Sequence, residues 1–359
     1  MFPAGRQLCA RSRKMRMAPP LSRHLHPSPY LYPMQRRKVQ KTGGGSFSFV
    51  LPKDWALSHH ADREIVIMGH ATGALTIYGL DHEQAFTATV DVSEKSRKEL
   101  LNELISLYSL GVDEIRVEGK FGSTTKKDIR AIMRFLMGFE IVSENHQAIV
   151  LKSVLSDQAL SFEQCLLSME TNARSMFLDA VEAFFSGDKE MGADVIERDV
   201  DVDRLYHLVI RNHQSLLQDK MQESLESRSL LESSAYEYIA AQIERVADRA
   251  VNIAKLSLEE QTLPIDEKTT QTIRRLSNEI IKLFAGSMDQ KLDNKRIVGL
   301  ELEVEPLVQK ISRAELQFMQ KPSQEGLLFL VNLQRTVAYI QNILEKRFQM
   351  TFFKKEPTA

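Results

Sequence analysis

A chain of 359 residues with 43% hydrophobic and 26% charged residues has room for roughly two to four packed domains and the composition of a soluble protein. No apolar run reaches the roughly 18 residues of a membrane-spanning helix, and two distant cysteines, Cys9 and Cys165, make neither a disulfide framework nor a thiolate metal site, so a reducing cytoplasm is expected. The net charge of −1 conceals an asymmetry: residues 1–53 hold eleven Lys or Arg and no acid, leaving 36 bases against 48 acids in the remainder, which points to an anionic partner such as nucleic acid at that end.

Residues 1–33 are basic and interrupted by Pro19, Pro20, Pro27, Pro29 and Pro33, which argue against a stable helix. A disordered tail is expected, or an upstream extension before a start at Met34; an Arg-rich, acid-poor transit peptide is the alternative. Residues 34–82 read as a small β unit. R-R-K-V-Q-K-T leads through Gly43–Gly45 into S-F-S-F-V-L-P-K-D-W, then one helical turn and two alternating strands separated by G-H-A-T-G. So small a unit buries little core alone, so dimerisation is expected.

The 34–82 stretch resembles the AbrB/SpoVT type of swapped-hairpin DNA-binding domain in its basic strand, its turn, its "LPKDW" and its closing hairpin. The resemblance implies an interleaved dimer that lays Arg36, Arg37, Lys38, Lys41 and Lys53 on DNA phosphates. The triple glycine departs from the family, which carries an arginine-bearing turn there. The residues themselves equally allow a dimerisation module with a solvated basic edge.

Residues 83–156 alternate strand and helix, with Gly111 and Gly138 as helix terminators, and predict an α+β domain with helices on one face. Neither a nucleophile–base set nor a phosphate loop occurs there. From Ser161 onward apolar periodicity predicts helices over 161–186, 189–220, 224–258, 268–288, 291–320 and 324–352, with turns at Gly187-Asp188, Pro264-Ile265-Asp266 and Lys321-Pro322-Ser323. These group into two three-helix units, 157–262 and 263–355.

An internal repeat supports that division. V-I-E-R-D-V-D-V-D aligns with I-V-G-L-E-L-E-V-E, matching Asp199 with Glu301 and Asp203 with Glu305; I-E-R-V-A-D-R-A-V-N-I-A aligns with L-Q-R-T-V-A-Y-I-Q-N-I-L, matching Glu244 with Gln334 and Asp248 with Ala338. Within the first unit, Asp199/Asp203 and Glu244/Asp248 are i,i+4 pairs, so each helix turns both of its acids to one face. That face also carries apolar residues, and a carboxylate there is costly unless paired or metal-bound. Four such oxygens on facing helices suit Fe, Mn, Zn or Mg. Pairing with Arg245 and Arg249 is the alternative, and His207 stands close enough in sequence to join.

The "DVDVD" and "ERVADRAVNIA" segments resemble the paired acid motifs of PhoU-type phosphate-uptake regulators, over roughly the last 200 residues. With the AbrB-like stretch in front, the whole resembles the archaeal variety. The resemblance implies a multi-domain, mainly α protein with tandem three-helix bundles. It also implies a divalent or trivalent metal ion at Asp199, Asp203, Glu244 and Asp248, more weakly at Glu301 and Glu305. It further implies negative control of phosphate uptake and homeostasis through a phosphate transporter ATPase, in a homodimer or higher oligomer with no membrane insertion. No Glu-x2-His, Gly-x-Ser-x-Gly or His-Glu-x2-His occurs, so an enzyme is not expected. A scaffold that docks on the transporter ATPase without binding DNA and a carboxylate-bridged metalloenzyme remain as other readings.

Overall fold

A computed structural model describes residues 36–59, 61, 64–69, 75–79, 85–154, 160–217, 227–259, 267–318 and 324–353. The 1–33 tail and the turns at 70–73, 264–266 and 321–323 lie outside the described residues. The chain divides into two compact units, residues 1–67 with 77–82, and residues 68–76 with 83–359.

In the small unit β1 (Gln40–Lys41) pairs antiparallel with β2 (Phe47–Ser48), in the register Gln40↔Ser48 and Lys41↔Phe47. Gly43–Gly45 turn between them, and φ of +81° at Gly44 and +87° at Gly45 is backbone that favours glycine. Thr42 closes the turn, its N–H donating to Ser46 O at 2.8 Å. The basic strand and the strand before Pro52 pair over two residues each, and this pairing is a hairpin within one chain. After Pro52, α1 (Lys53–Ser58) is the expected helical turn. Then β3 (Ile65–Gly69) pairs with β4 (Leu75–Gly79). Val39, Phe47, Val50 and Leu57 are more than half exposed in this single chain.

The larger unit begins with a four-stranded sheet of order β5-β6-β8-β7. Its strands are β5 (Thr87–Asp91), β6 (Glu114–Glu118), β7 (Phe139–Glu144) and β8 (Ala148–Ser153). β5 and β6 run parallel, β8 antiparallel to both β6 and β7. Between them lie α2 (Arg97–Ser109) and α3 (Ser123–Ile132). Ser96 and Glu99 form a reciprocal capping box at the start of α2, and Leu100, Leu104 and Tyr108, four apart, bury its inner stripe. Ile115 and Val117 of β6 and Ile149 and Leu151 of β8 complete the core, while Arg116, between the first two, and Lys152, next after Leu151, stay exposed. The helices therefore cover one face of the sheet. Gly111 and Gly138 end their helices at φ of +83° and +74°.

The rest is helical: α4 (Phe162–Ser186), α5 (Lys189–Leu217), α6 (Ser227–Leu258), α7 (Glu267–Ser287), α8 (Asn294–Phe318) and α9 (Gln324–Phe353). A second capping box, Ser161 with Gln164, starts α4, and left-handed Gly187 ends it. α4, α5 and α6 pack on one another, as do α7, α8 and α9, and α6 against α9 joins the two triplets. One continuous core runs through both, from Cys165 and Phe177 to Phe329 and Ile340.

The close approach of α5 to α6 depends on Gly192. A Cβ there would lie 2.3 Å from Ser257 Oγ and 3.2 Å from the backbone oxygen of Ala254. Gly192→Ala is expected to cost about 1–3 kcal/mol through overpacking, more than its gain in helix propensity. Adding Ser257→Ala recovers part of that loss in urea denaturation, because the nearer clash is with the hydroxyl.

Candidate functional site: a carboxylate group between two helices

Four residues of α5, at steps of four, share one stripe: Asp199, Asp203, His207 and Arg211. The helix packs along α6, which turns Glu244 and Asp248 to the same region. All four acids are half-buried. Burial raises the Asp203 carboxyl to about 7, and the charges of Asp199 and Asp248 add to the rise. Glu244 is likewise raised to about 7, first by burial, then by Asp248 and Asp203, against a smaller opposing pull from Arg245. Asp199 is raised by burial and by Asp248, with Lys255 opposing. Each of these shifts has the sign of a carboxylate kept from water beside like charge.

The structure therefore brings the two sequence-predicted pairs into one electrostatic neighbourhood. It does not draw them into a closed ligand set: among the described residues, no three His, Cys, Asp or Glu side chains are gathered closely enough to hold a metal ion. Asp248 lies beside Arg249, with 3.7 Å between Oδ2 and Nη2. Arg245 takes no such role; its guanidinium lies 5.9 Å from the centre of the Tyr339 ring. The donors remain chemically suited to a hard cation, being four carboxylates with a shared excess of negative charge.

His207 does not join the acids. Its Nδ1 lies 3.4 Å from Ser109 Oγ at the end of α2, and burial lowers its pKa. In the second triplet Glu305 is exposed and accepts from Gln309 Nε2 of its own helix at 2.9 Å. Gln334, which replaces the acid of the first triplet, donates to Glu315 at 3.1 Å. Glu301 is half-buried, and the repeat positions that match Glu244 and Asp248 hold Gln334 and Ala338. On the small unit, Arg36, Arg37, Lys38, Lys41 and Lys53 are all exposed.

Sequence reasoning missed Arg211. It is 7% exposed, and its Nη1 donates to the backbone oxygens of Tyr108 at 3.0 Å and Val112 at 2.7 Å. Nη2 lies 3.5 Å from Asp113 Oδ1, and the guanidinium sits 5.2 Å from the ring centres of both Tyr108 and Phe139. The signal was present: Arg211 continues the Asp199–Asp203–His207 register by one more turn. One helix thus carries the acids at one stretch and the anchor of the α+β domain two turns on.

No curated protein matches the chain. Among solved structures, PhoU from Pseudomonas aeruginosa is similar at 15% identity, covering 53% of this chain and 95% of that one, with a TM-score of 0.47. The phosphate transport system regulatory protein PhoU from Streptococcus pneumoniae is similar at 17% identity, covering 53% and 93%, with a TM-score of 0.46. Residues 166–257, which run from the first turn of α4 to the end of α6 and include all four carboxylates, match the family model of the PhoU domain.

Proposed function

We propose that the chain is a regulator of phosphate uptake and intracellular phosphate homeostasis, exerting negative control rather than catalysis. The observation that carries this reading is the PhoU-domain match over the helices that hold the acid group. In this reading Asp199, Asp203, Glu244 and Asp248 hold a divalent or trivalent ion, which neutralises their shared charge. The helical body is the surface that meets a phosphate transporter ATPase. No described helix is long and apolar enough to cross a membrane, in keeping with a partner that reaches the transporter from the aqueous side.

The small unit gives the reading its second half. Exposed Arg36, Arg37, Lys38, Lys41 and Lys53 supply phosphate-contacting charge, and exposed Val39, Phe47, Val50 and Leu57 supply a surface for a second copy. A dimer so formed carries the signal of the helical body to DNA. Duplex binding is then steeply salt-dependent and lost when residues 1–53 are removed.

The deciding experiment compares phosphate-transport transcripts and phosphate uptake with and without the chain, in high and low phosphate. Loss of the chain raises uptake in high phosphate; unchanged transcripts and unchanged uptake end the reading. The metal is tested separately by elemental analysis of the purified protein. At least one ion per chain is expected, lost in the Asp203→Asn, Glu244→Gln double variant and kept in Glu305→Gln.

A further inference from the structure

The two edges of the α+β sheet differ in character. The strand order β5-β6-β8-β7 leaves β5 and β7 outermost. β7 is guarded as edge strands commonly are: its register with β8 shifts between Ile141 and Ser143, the intervening Val142 is 51% exposed, and Glu140 and Glu144 put charge along it. β5 has none of these guards. Its sequence T-A-T-V-D holds register with β6 without a shift, from Thr87↔Glu114 to Asp91↔Glu118, and contains no Pro, Lys or Arg.

The outward groups of β5 follow from its ladder. Phe86 O accepts from the N–H groups of Asp113 and Glu114, and the Val92 N–H donates to Glu118 O at 2.9 Å. Alternate residues of a strand turn their backbone groups to the same side, so Ala88 and Val90, between those two, also face β6. Thr87, Thr89 and Asp91 therefore turn theirs away from the sheet. All three are exposed, and among the described residues their backbone N–H and C=O groups have no backbone partner. Such a row on a flat strand, with a single charge at its end, is a template for another strand.

We propose that β5 pairs antiparallel with β5 of a second copy of this chain, about a two-fold axis at Thr89, joining the two sheets into one. The strand fits itself. With Thr89 opposite Thr89 of the second copy, Thr87 lies opposite Asp91, and each such pair exchanges both of its backbone bonds. Every outward N–H and C=O is then satisfied. The side chains agree: Thr89 meets Thr89, a favourable cross-strand pair, and the Asp91 carboxylate meets the Thr87 hydroxyl instead of its own like. On the helix-covered face Ala88 lies opposite Val90. Sliding the pairing toward the end of the strand brings Asp91 opposite Asp91, and that like-charge contact fixes the register. An unrelated extended segment would satisfy the backbone, but the match of side chains across the axis belongs to this strand with itself. The assignment stands on the sheet edge and depends neither on the phosphate-uptake reading nor on pairing of the small units.

Amide hydrogen exchange of the full chain tests whether the edge is covered. The amides of Thr87, Thr89 and Asp91 are expected to exchange as slowly as those of Ala88 and Val90. Thr89→Pro, tolerated where an edge N–H faces outward, is expected to speed Thr87 and Asp91 by at least about tenfold while β6 stays protected. Fast exchange at Thr87 and Asp91 in the parent overturns the proposal. Should Thr89→Pro fail to fold, Thr89→Lys takes its place by setting two ammonium groups opposite each other, and unchanged protection in that variant overturns the proposal. Cross-linking then tests what covers the edge. Thr89→Cys in a Cys9→Ser background is expected to give covalent dimers with a bifunctional thiol reagent too short to span three strand spacings, about 14 Å, whereas Arg116→Cys, one strand further in on each sheet, gives none. Protected amides without the Thr89→Cys cross-link would mean that a different segment lies on β5, and equal cross-linking of the two variants would mean that the copies meet elsewhere; either result overturns the pairing.

Discussion

Arg211→Met lowers the stability of the larger unit by about 3 kcal/mol and releases the α+β domain from α5. The estimate rests on what the guanidinium does. Its removal strips Val112 O of its donor, and a buried carbonyl left unpaired costs about 1–3 kcal/mol. The Tyr108 oxygen fares better, because the backbone N–H of Gly111 also reaches it at 3.0 Å. The contacts with the Tyr108 and Phe139 rings add about 0.5–2 kcal/mol for a desolvated cation. Methionine keeps the apolar stem, so the loss isolates the fork. Thermal unfolding should fall by about 6–12 °C if the unit melts as one, at about 2–4 °C per kcal/mol for a body of this size. Amide exchange adds a spatial readout: protection falls first at the end of α2 and in Val112–Asp113, not in α4. Arg211→Lys rescues little, since one ammonium cannot span both carbonyls and the two rings. Equal stability of Arg211→Met and the parent would show that the α+β domain is held by other contacts.

What could be read ahead of the structure follows from how local each signal is. The six long helices end within a few residues of their expected limits, because an apolar period sustained for six or more turns and a left-handed glycine such as Gly187 are both written in adjacent residues. The carboxylate neighbourhood was legible for the same reason: an i,i+4 pair fixes its own face, and two such helices in a short-loop bundle have few ways to meet. The basic strand was legible as a strand but not in its extent, since strand propensity is local while pairing needs a partner, and among the described residues Gln40 and Lys41 find one in Phe47 and Ser48. The register that carries the acids also reaches Arg211, but its role was not legible, because it docks on a helix end about a hundred residues earlier. Gly192 escaped notice because a helical glycine reads as a weakness until the facing Ser257 and Ala254 are known.

Asp203→Asn is expected to stabilise chelator-treated protein at pH 8 while leaving it nearly unchanged at pH 4. The folded pKa of Asp203 is about 7 against an ordinary 3.8, so the folded chain holds a proton that the unfolded chain has released. A raised acid favours the folded state fully below about pH 4 and progressively less as pH climbs; above about pH 7 the advantage is gone. The parent therefore loses stability between pH 4 and 8, on the order of 4 kcal/mol from this residue. Asparagine keeps the size and a hydrogen-bonding oxygen without the charge, so its stability is flat across that window. Glu244→Gln behaves alike, for its pKa is raised to about 7 with Asp203 among the causes. The two substitutions then add to less than their sum, because removing either charge lowers the pKa of the other. Urea denaturation at pH 4, 6 and 8 measures all of this. A parent whose stability rises from pH 4 to 8 would show that these carboxylates are ordinary solvated groups. Where the parent falls as expected, Mn or Mg added at pH 8 should restore stability to the parent and not to the Asp203→Asn, Glu244→Gln variant, since two neutral amides supply neither the charge that holds the cation nor the repulsion that it relieves. An ion bound in the proposed way would relieve the same cost that makes the ion-free group unstable at high pH, so proton and metal would compete for oxygens shared between α6 and α5, the helix that also anchors the α+β domain through Arg211.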